Sequence, residues 1–292
     1  MSSFFPAPSS HAGSAAAQPA QPVLQSRYRI HRVESAWLDS SREVIVYLPE
    51  AYFSQPQRRF PVLYLHDGNN LFEPSTSYCG DIWAVDEVLE AGVAAGLLEP
   101  VILVGIYNSP QRVHEYTWHP LPVSAQRTIG GKGPHYCAFV VQELKSLIDA
   151  SYRTLPQREH SAIMGSSMGG LISFYFGLHY PEVFSCIGMM SPSLGWKDGI
   201  ALREARQLSQ QLKIWVDVGT QECFCHQKCA EWSVANTSAF VRELEAAGFR
   251  HFENLAFHIA PGADHSERAW AARVQHPLRF FFGHEQARLL AA

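Results

Sequence analysis

Ser161-Ala-Ile-Met-Gly-Ser-Ser167-Met-Gly-Gly170-Leu-Ile-Ser-Phe-Tyr-Phe-Gly-Leu-His-Tyr180-Pro181 changes its hydrophobic period in the middle. The short apolar run ending at Met164 predicts a buried strand. Leu171, Phe174, Tyr175 and Leu178 then recur at helical spacing, and the pattern stops at Pro181, which cannot continue a helix. Between the two lies Gly165-Ser166-Ser167-Met168-Gly169, a Gly-x-Ser-x-Gly turn. Glycine at Gly165 and Gly169 leaves room for strand and helix to approach closely, and the turn strains its central residue. That strain aims the Ser167 hydroxyl out of the sheet, at the positive end of a helix. Ser166 cannot be the centre, because Met164 would then occupy the first glycine position.

Outward from this turn the same alternation repeats. Runs at 43–48, 60–65, 101–104, 184–190, 214–218 and 253–259 are apolar and β-branched and predict strands. Helical spacing covers 81–98, 136–152, 201–212, 234–247 and a last segment through Trp270, Val274, Leu278 and Phe281. Strands alternating with amphipathic helices predict an α/β chain with a mostly parallel central sheet covered on both faces. Ligands on such sheets bind beyond the carboxyl ends of the strands. The polar stretch 108–134 is long for a loop in a compact domain, which points to a functional role.

With 292 residues, 47% of them hydrophobic, the chain can bury a large core. The first 26 residues, rich in Ala, Ser, Pro and Gln, predict a disordered tail, and residues 27–292 one domain. The tail lacks the basic start and apolar stretch of a secretory signal, so the expected location is cytoplasmic. The net charge of −4 with no basic run argues against nucleic acid. No apolar stretch is long enough for a membrane span.

A serine hydroxyl needs a base. Of 14 histidines, His265 follows the last strand, in Gly262-Ala-Asp-His265, a flexible lead from which imidazole can reach over the sheet. Glu222, after Gly219-Thr220, is the expected acid that orients it. Asp217 is the rival, but falls inside a strand, and Asp264 is adjacent to His265 and points elsewhere. A tetrahedral oxyanion needs backbone donors. Met168 supplies one, and Asn69, in the loop after the 60–65 strand, is the choice for the other; a simple Asp-Gly turn is the alternative there.

His66-Asp-Gly-Asn-Asn-Leu-Phe72, Tyr152-Arg-Thr-Leu155 through the Ser167 turn, Ser191-Pro-Ser193, Asp217-Val-Gly-Thr-Gln-Glu222 and Gly262-Ala-Asp-His265 together resemble the putative-esterase family of α/β-hydrolases. This family is related to esterase D and includes siderophore, feruloyl and acetyl-xylan esterases, S-formylglutathione hydrolases and mycolyltransferases. The resemblance implies an α/β-hydrolase fold, with Ser167 as nucleophile, His265 as base and Glu222 as acid. It implies a small-molecule ester substrate and no cofactor or metal. Hydrolysis of a carboxylic or siderophore-lactone ester, acyl transfer on the same fold, and a non-catalytic binding role are the readings to separate. Arg112 and Tyr116 match a stretch that runs near the site in relatives, so Arg112 is either a substrate contact or a surface ion pair. Trp118 and Trp196 are either pocket walls or core. Cys223-Phe-Cys-His-Gln-Lys-Cys229 departs from the family. Its three cysteines are expected to be reduced, with zinc at Cys223, Cys225, His226 and Cys229, or a disulfide, as alternatives.

Overall fold

Short runs of β-branched and other apolar residues, buried at every position in the inner strands, build one eight-stranded sheet. A computed structural model describes residues 27–222 and 227–284, the side chains of 227–229 excepted. The expected tail lies outside these residues. The strands are β1 (Tyr28–Val33), β2 (Arg42–Tyr47), β3 (Val62–His66), β4 (Ile102–Ile106), the hairpin β5 (Leu121–Ser124) and β6 (Arg127–Ile129), β7 (Ser161–Ser166), β8 (Cys186–Met190), β9 (Lys213–Gln221) and β10 (Leu255–Asp264). The sheet order is β1-β2-β4-β3-β7-β8-β9-β10, with β5-β6 apart. From β4 to β10 every pairing is parallel, whereas β2 runs antiparallel to β1 and β4. This is the mostly parallel sheet of an α/β-hydrolase.

The helices are α1 (Glu50–Ser54), α2 (Val85–Ala94), α3 (Arg112–Glu115), α4 (Gly133–Ala138), α5 (Lys145–Ser151), α6 (Met168–His179), α7 (Trp196–Glu204), α8 (Gln227–Ala246), α9 (Glu267–Ala271) and α10 (Gln275–Phe282). Alternate side chains of each strand feed opposite cores. Val62 and Tyr64 of β3 join Tyr136, Ile148, Phe174 and Phe240 from α4, α5, α6 and α8. Leu63 and Leu65 join Leu89, Trp270 and Leu278 from α2, α9 and α10. Among the described residues no helix is long and apolar enough to cross a membrane.

Several local expectations change. α6 is not one-sided, because every residue from Gly169 to Gly177 is buried. It packs on β7 and β8 while helices cover its other side, so no polar face is needed. The 136–152 helix starts at Gly133 and passes through a π-helical stretch, Phe139–Leu144. The 201–212 helix begins earlier, at Trp196, and is interrupted by left-handed Lys197, Asp198 and Gly199. The polar stretch 108–134 carries α3 and the β5-β6 hairpin.

Three neighbouring strands share one feature. The residue just past each carboxyl end has positive φ: Asp67 after β3 (55°), Ser167 after β7 (56°) and Ser191 after β8 (41°). None is a glycine, and such backbone is uncommon for side-chain-bearing residues.

Candidate active site

Ser167 caps α6 with φ 56° and ψ −119°, a strained conformation of the kind held in place at functional sites. Its backbone is pinned from both sides: its N–H donates to Met190 O at 2.9 Å, and its carbonyl accepts from Ser193 N at 2.9 Å and Leu171 N at 3.1 Å. The flanking glycines are required sterically. A Cβ on Gly165 would stand 2.9 Å from the backbone carbon of Gly169 and from His66 Cδ2. The Ser167 hydroxyl pairs with Ser193 Oγ at 3.2 Å.

Glu222 and His265 meet because of strand register. Asp264 pairs with Gln221 across an irregularity in the β9-β10 ladder, so the residue after each strand end faces the other. His265 Nδ1 lies 2.5 Å from Glu222 Oε2. The lead into His265 is therefore extended strand rather than a flexible loop, since β10 continues to Asp264. Glu222 Oε1 accepts from Ser191 Oγ and from Gly219 N, both at 2.5 Å. The Trp270 ring stands edge-on to His265, with centroids 4.9 Å apart.

Asp217 has a different neighbourhood. It is fully buried, accepting from Arg273 Nε at 3.0 Å, Trp215 Nε1 at 2.8 Å and Ser191 N at 3.2 Å. Burial pushes its carboxyl above the usual range, and Arg273 and Trp215 oppose that. Asp264 accepts from Ser266 Oγ and borders a different surface pocket from the cleft that His265 lines.

A cleft of about 560 Å³ opens here, bordered by Met168, Ser193, Glu222 and His265. Val113, Leu121, Leu194, Trp196 and Trp232 make much of its wall apolar. Trp196 is fixed by an Nε1–H bond to His119 O at 2.8 Å. Trp232 of α8 is 54% exposed and lies across Gly195, where an added Cβ would come within 2.5 Å of its ring.

Three expected substrate contacts do not border the cleft. Arg112 lies outside the cleft lining and is in a half-buried ion pair. It grips Asp67 with two bonds, Nε to Oδ1 at 2.6 Å and Nη2 to Oδ2 at 2.8 Å. Asn108 Nδ2 also donates to Asp67 Oδ1, at 2.7 Å. Tyr116 is fully buried, its hydroxyl accepting from Asp67 N at 3.2 Å. Trp118 stacks on His179 at 3.8 Å and belongs to the packing around α6. Together Arg112 and Tyr116 brace the loop that carries Asn69. The Asn69 side chain is engaged with Asn70 and with the Asn108 amide, so any oxyanion donor there is the main-chain N–H.

Sequence reasoning passed over Ser193, Ser191, Trp270, Arg273 and Trp232. Ser191-Pro-Ser193 stood out as the end of a strand and as part of the family resemblance, with no role given to either serine, and the other three carry no local motif. Among the described residues no group of three or more His, Cys, Asp or Glu could hold a metal. Cys223, Cys225 and His226, and the side chain of Cys229, lie outside them.

The arrangement has the parts of acyl-transfer chemistry: a strained serine capping a helix whose first residue, Met168, borders an apolar cleft, and on the same cleft an imidazole held by a carboxylate. A curated relative, the uncharacterized protein YbbA of Bacillus subtilis, is 26% identical over 252 residues, 85% of this chain and 96% of its own length. The iron(III) enterobactin esterase of Escherichia coli K12 is 28% identical, over 49% of this chain and 36% of that one. The siderophore triacetylfusarinine C esterase of Aspergillus fumigatus is 25% identical, over 53% and 51%. Among solved structures, an IroE-like serine hydrolase from Shewanella oneidensis superposes with a TM-score of 0.70 at 22% identity, covering 87% of this chain and 80% of that one. The siderophore hydrolase EstA from Aspergillus nidulans gives 0.70 at 19% identity, covering 92% and 99%. The family model described as "Putative esterase" matches residues 35–281, and the chain belongs to that family.

Proposed function

We propose that the chain is a serine carboxylesterase working through an acyl-enzyme on Ser167. The observation that carries this reading is the 2.5 Å contact between Glu222 and His265, two residues brought together by strand register beside the Ser167 turn. With Nδ1–H donated to Glu222, His265 Nε2 is the base. It takes the Ser167 proton as Oγ attacks the ester carbonyl, and returns it to the leaving alcohol. Water, deprotonated by the same nitrogen, then releases the acid. The first-turn amide of Met168 has no acceptor within α6; with the Asn69 amide it stabilises the oxyanion. The Ser193 contact of Ser167 belongs to the resting state, since catalytic hydrogen bonds often form only with substrate bound.

The apolar wall of Val113, Leu121, Leu194, Trp196 and Trp232 suits an apolar or aromatic group of the ester. Hydrolysis of p-nitrophenyl acetate and butyrate, with fluorophosphonate labelling of Ser167, tests the mechanism. Turnover lost in Ser167→Ala supports it; activity retained above a few per cent places the nucleophile elsewhere. Product that appears only with an added alcohol acceptor would mean acyl transfer. A second reading, siderophore-ester hydrolysis, draws on the named activities of the Escherichia coli and Aspergillus fumigatus relatives. Catecholate, hydroxamate and feruloyl esters assayed in parallel separate it from general esterase activity.

A further inference from the structure

Behind Glu222 lies a buried polar cluster that the proposed chemistry does not use directly. Ser191 is at its centre, 4% exposed. Its Oγ is 3.1 Å from Trp270 Nε1, 2.7 Å from Arg273 Nη2 and 2.5 Å from Glu222 Oε1. Indole and guanidinium nitrogens can only donate. Both lone pairs of the Ser191 oxygen are therefore filled, and its one proton is left for the carboxylate. Arg273 is held 3.9 Å from Glu222 Oε1, while its Nε is bonded to Asp217 at 3.0 Å. The cation thus reaches the carboxylate mainly through the hydroxyl it polarises.

We propose that Ser191 is a positioning residue for the Glu222–His265 pair, a hydroxyl locked by two obligate donors so that it holds Glu222 Oε1 and turns Oε2 toward His265. The assignment rests on the serine-esterase reading above. Gly219 N is the other donor to Oε1, so loss of Ser191 leaves the carboxylate attached at one point and free to rotate. Among the described residues, the charged or titratable groups facing Glu222 are His265, after β10, and Arg273, between α9 and α10. Asp217 on β9 stands behind Arg273 and is bonded to it.

The test compares Ser191→Ala, Ser191→Gly and Ser191→Cys on p-nitrophenyl acetate, with thermal unfolding measured in parallel. Glycine takes φ 41° without strain, so Ser191→Gly removes the hydroxyl from a relaxed backbone. One hydrogen bond to a charged group corresponds to about a ten- to hundredfold effect. The expectation is that kcat falls by about that factor in the Ala and Gly variants, and less in Cys, a weak donor, with KM within about twofold. The acid limb of the pH profile should move to higher pH, because a carboxylate with one donor fewer attracts a proton more strongly, on itself and on the imidazole beside it. A kcat within about twofold of wild type with an unmoved acid limb, in folded Ala and Gly variants, overturns the proposal. So does a loss borne by KM alone. Ser167→Ala serves as control: if it stays active, the esterase mechanism itself has failed, whereas an inactive Ser167→Ala beside a fully active Ser191→Gly removes only the role of Ser191.

Discussion

At the scale of single residues, two carboxylates in the same corner do opposite work, and substitution should separate them. Glu222 faces His265 and the cleft; Asp217 faces Arg273 and the core. Glu222→Gln keeps the shape but cannot stabilise an imidazolium, so turnover should fall by roughly 10²–10⁴ with little change in melting temperature. Asp217→Asn leaves the buried Arg273 cation without its partner, a loss of about 3–5 kcal/mol of stability. Chemical denaturation and p-nitrophenyl ester kinetics on both variants check the pair, and an inverted result would move the acid to Asp217. Ser167 offers a third measurement. Ser167→Ala and Ser167→Gly should both be inactive, but glycine relieves φ 56° whereas alanine does not. The Gly variant should therefore be the more stable of the two, by about 1 kcal/mol.

At the scale of elements, α8 lines the cleft with Trp232, Ser233, Asn236 and Thr237, and the first of these makes one very close contact. Trp232 lies over Gly195 so closely that a methyl group there would stand 2.5 Å from the ring. The indole is more than half exposed and at the far end of its side chain, so it can swing aside without disturbing the core. Gly195→Ala should therefore shift preference among acyl chains, changing the butyrate-to-acetate ratio of kcat/KM severalfold while moving the melting temperature by no more than about 2 °C. An unchanged ratio would mean that Trp232 does not touch the acyl group. Elements also show what could be read in advance. The inner strands were legible because each is a continuous apolar run. β1 was not, since its pattern of exposure is irregular and it owes its order to pairing with β2. Ser167 was legible from its Gly-x-Ser-x-Gly turn, and Glu222 and His265 from their places in the stretches after the 214–218 and 253–259 runs, although β9 and β10 continue to Gln221 and Asp264. Ser191, Trp270 and Arg273 were not: a serine after a strand looks like any turn, and an arginine between helices looks solvated until tertiary packing brings both against Asp217. The pairing of Arg112 with Asp67 was hidden for the same reason, because nothing local shows that Asp67 is within its reach.

At the scale of the whole molecule, acid stability carries a signature of the core. His66 is buried between Tyr116, Tyr136 and Phe176, bonded through Nδ1 to Tyr136 Oη at 2.9 Å. Burial pushes its pKa down to about 3. Between about pH 6.5 and pH 3 the unfolded chain therefore binds a proton that the folded chain does not, so stability falls as pH is lowered through that window, by about 1.4 kcal/mol per unit from this group. His66→Phe should flatten that part of the stability-versus-pH curve; an unchanged slope would mean that the ring is charged when folded. The three positive-φ residues past β3, β7 and β8 have a wider consequence. Asp67, Ser167 and Ser191 line up along one rim of the sheet, each where glycine would be more comfortable. Asp67 and Ser191 hold Arg112 and Arg273 through their side chains, so glycine there would cost more than the relief of φ returns. The Ser167 hydroxyl is bonded only to Ser193 among the described residues, so a laboratory selection for heat resistance alone would find glycine at 167 an easy gain, and that gain would remove the proposed nucleophile. Selection for robustness and selection for turnover should therefore diverge first at Ser167, and a screen that scores only soluble, heat-stable protein would enrich inert variants.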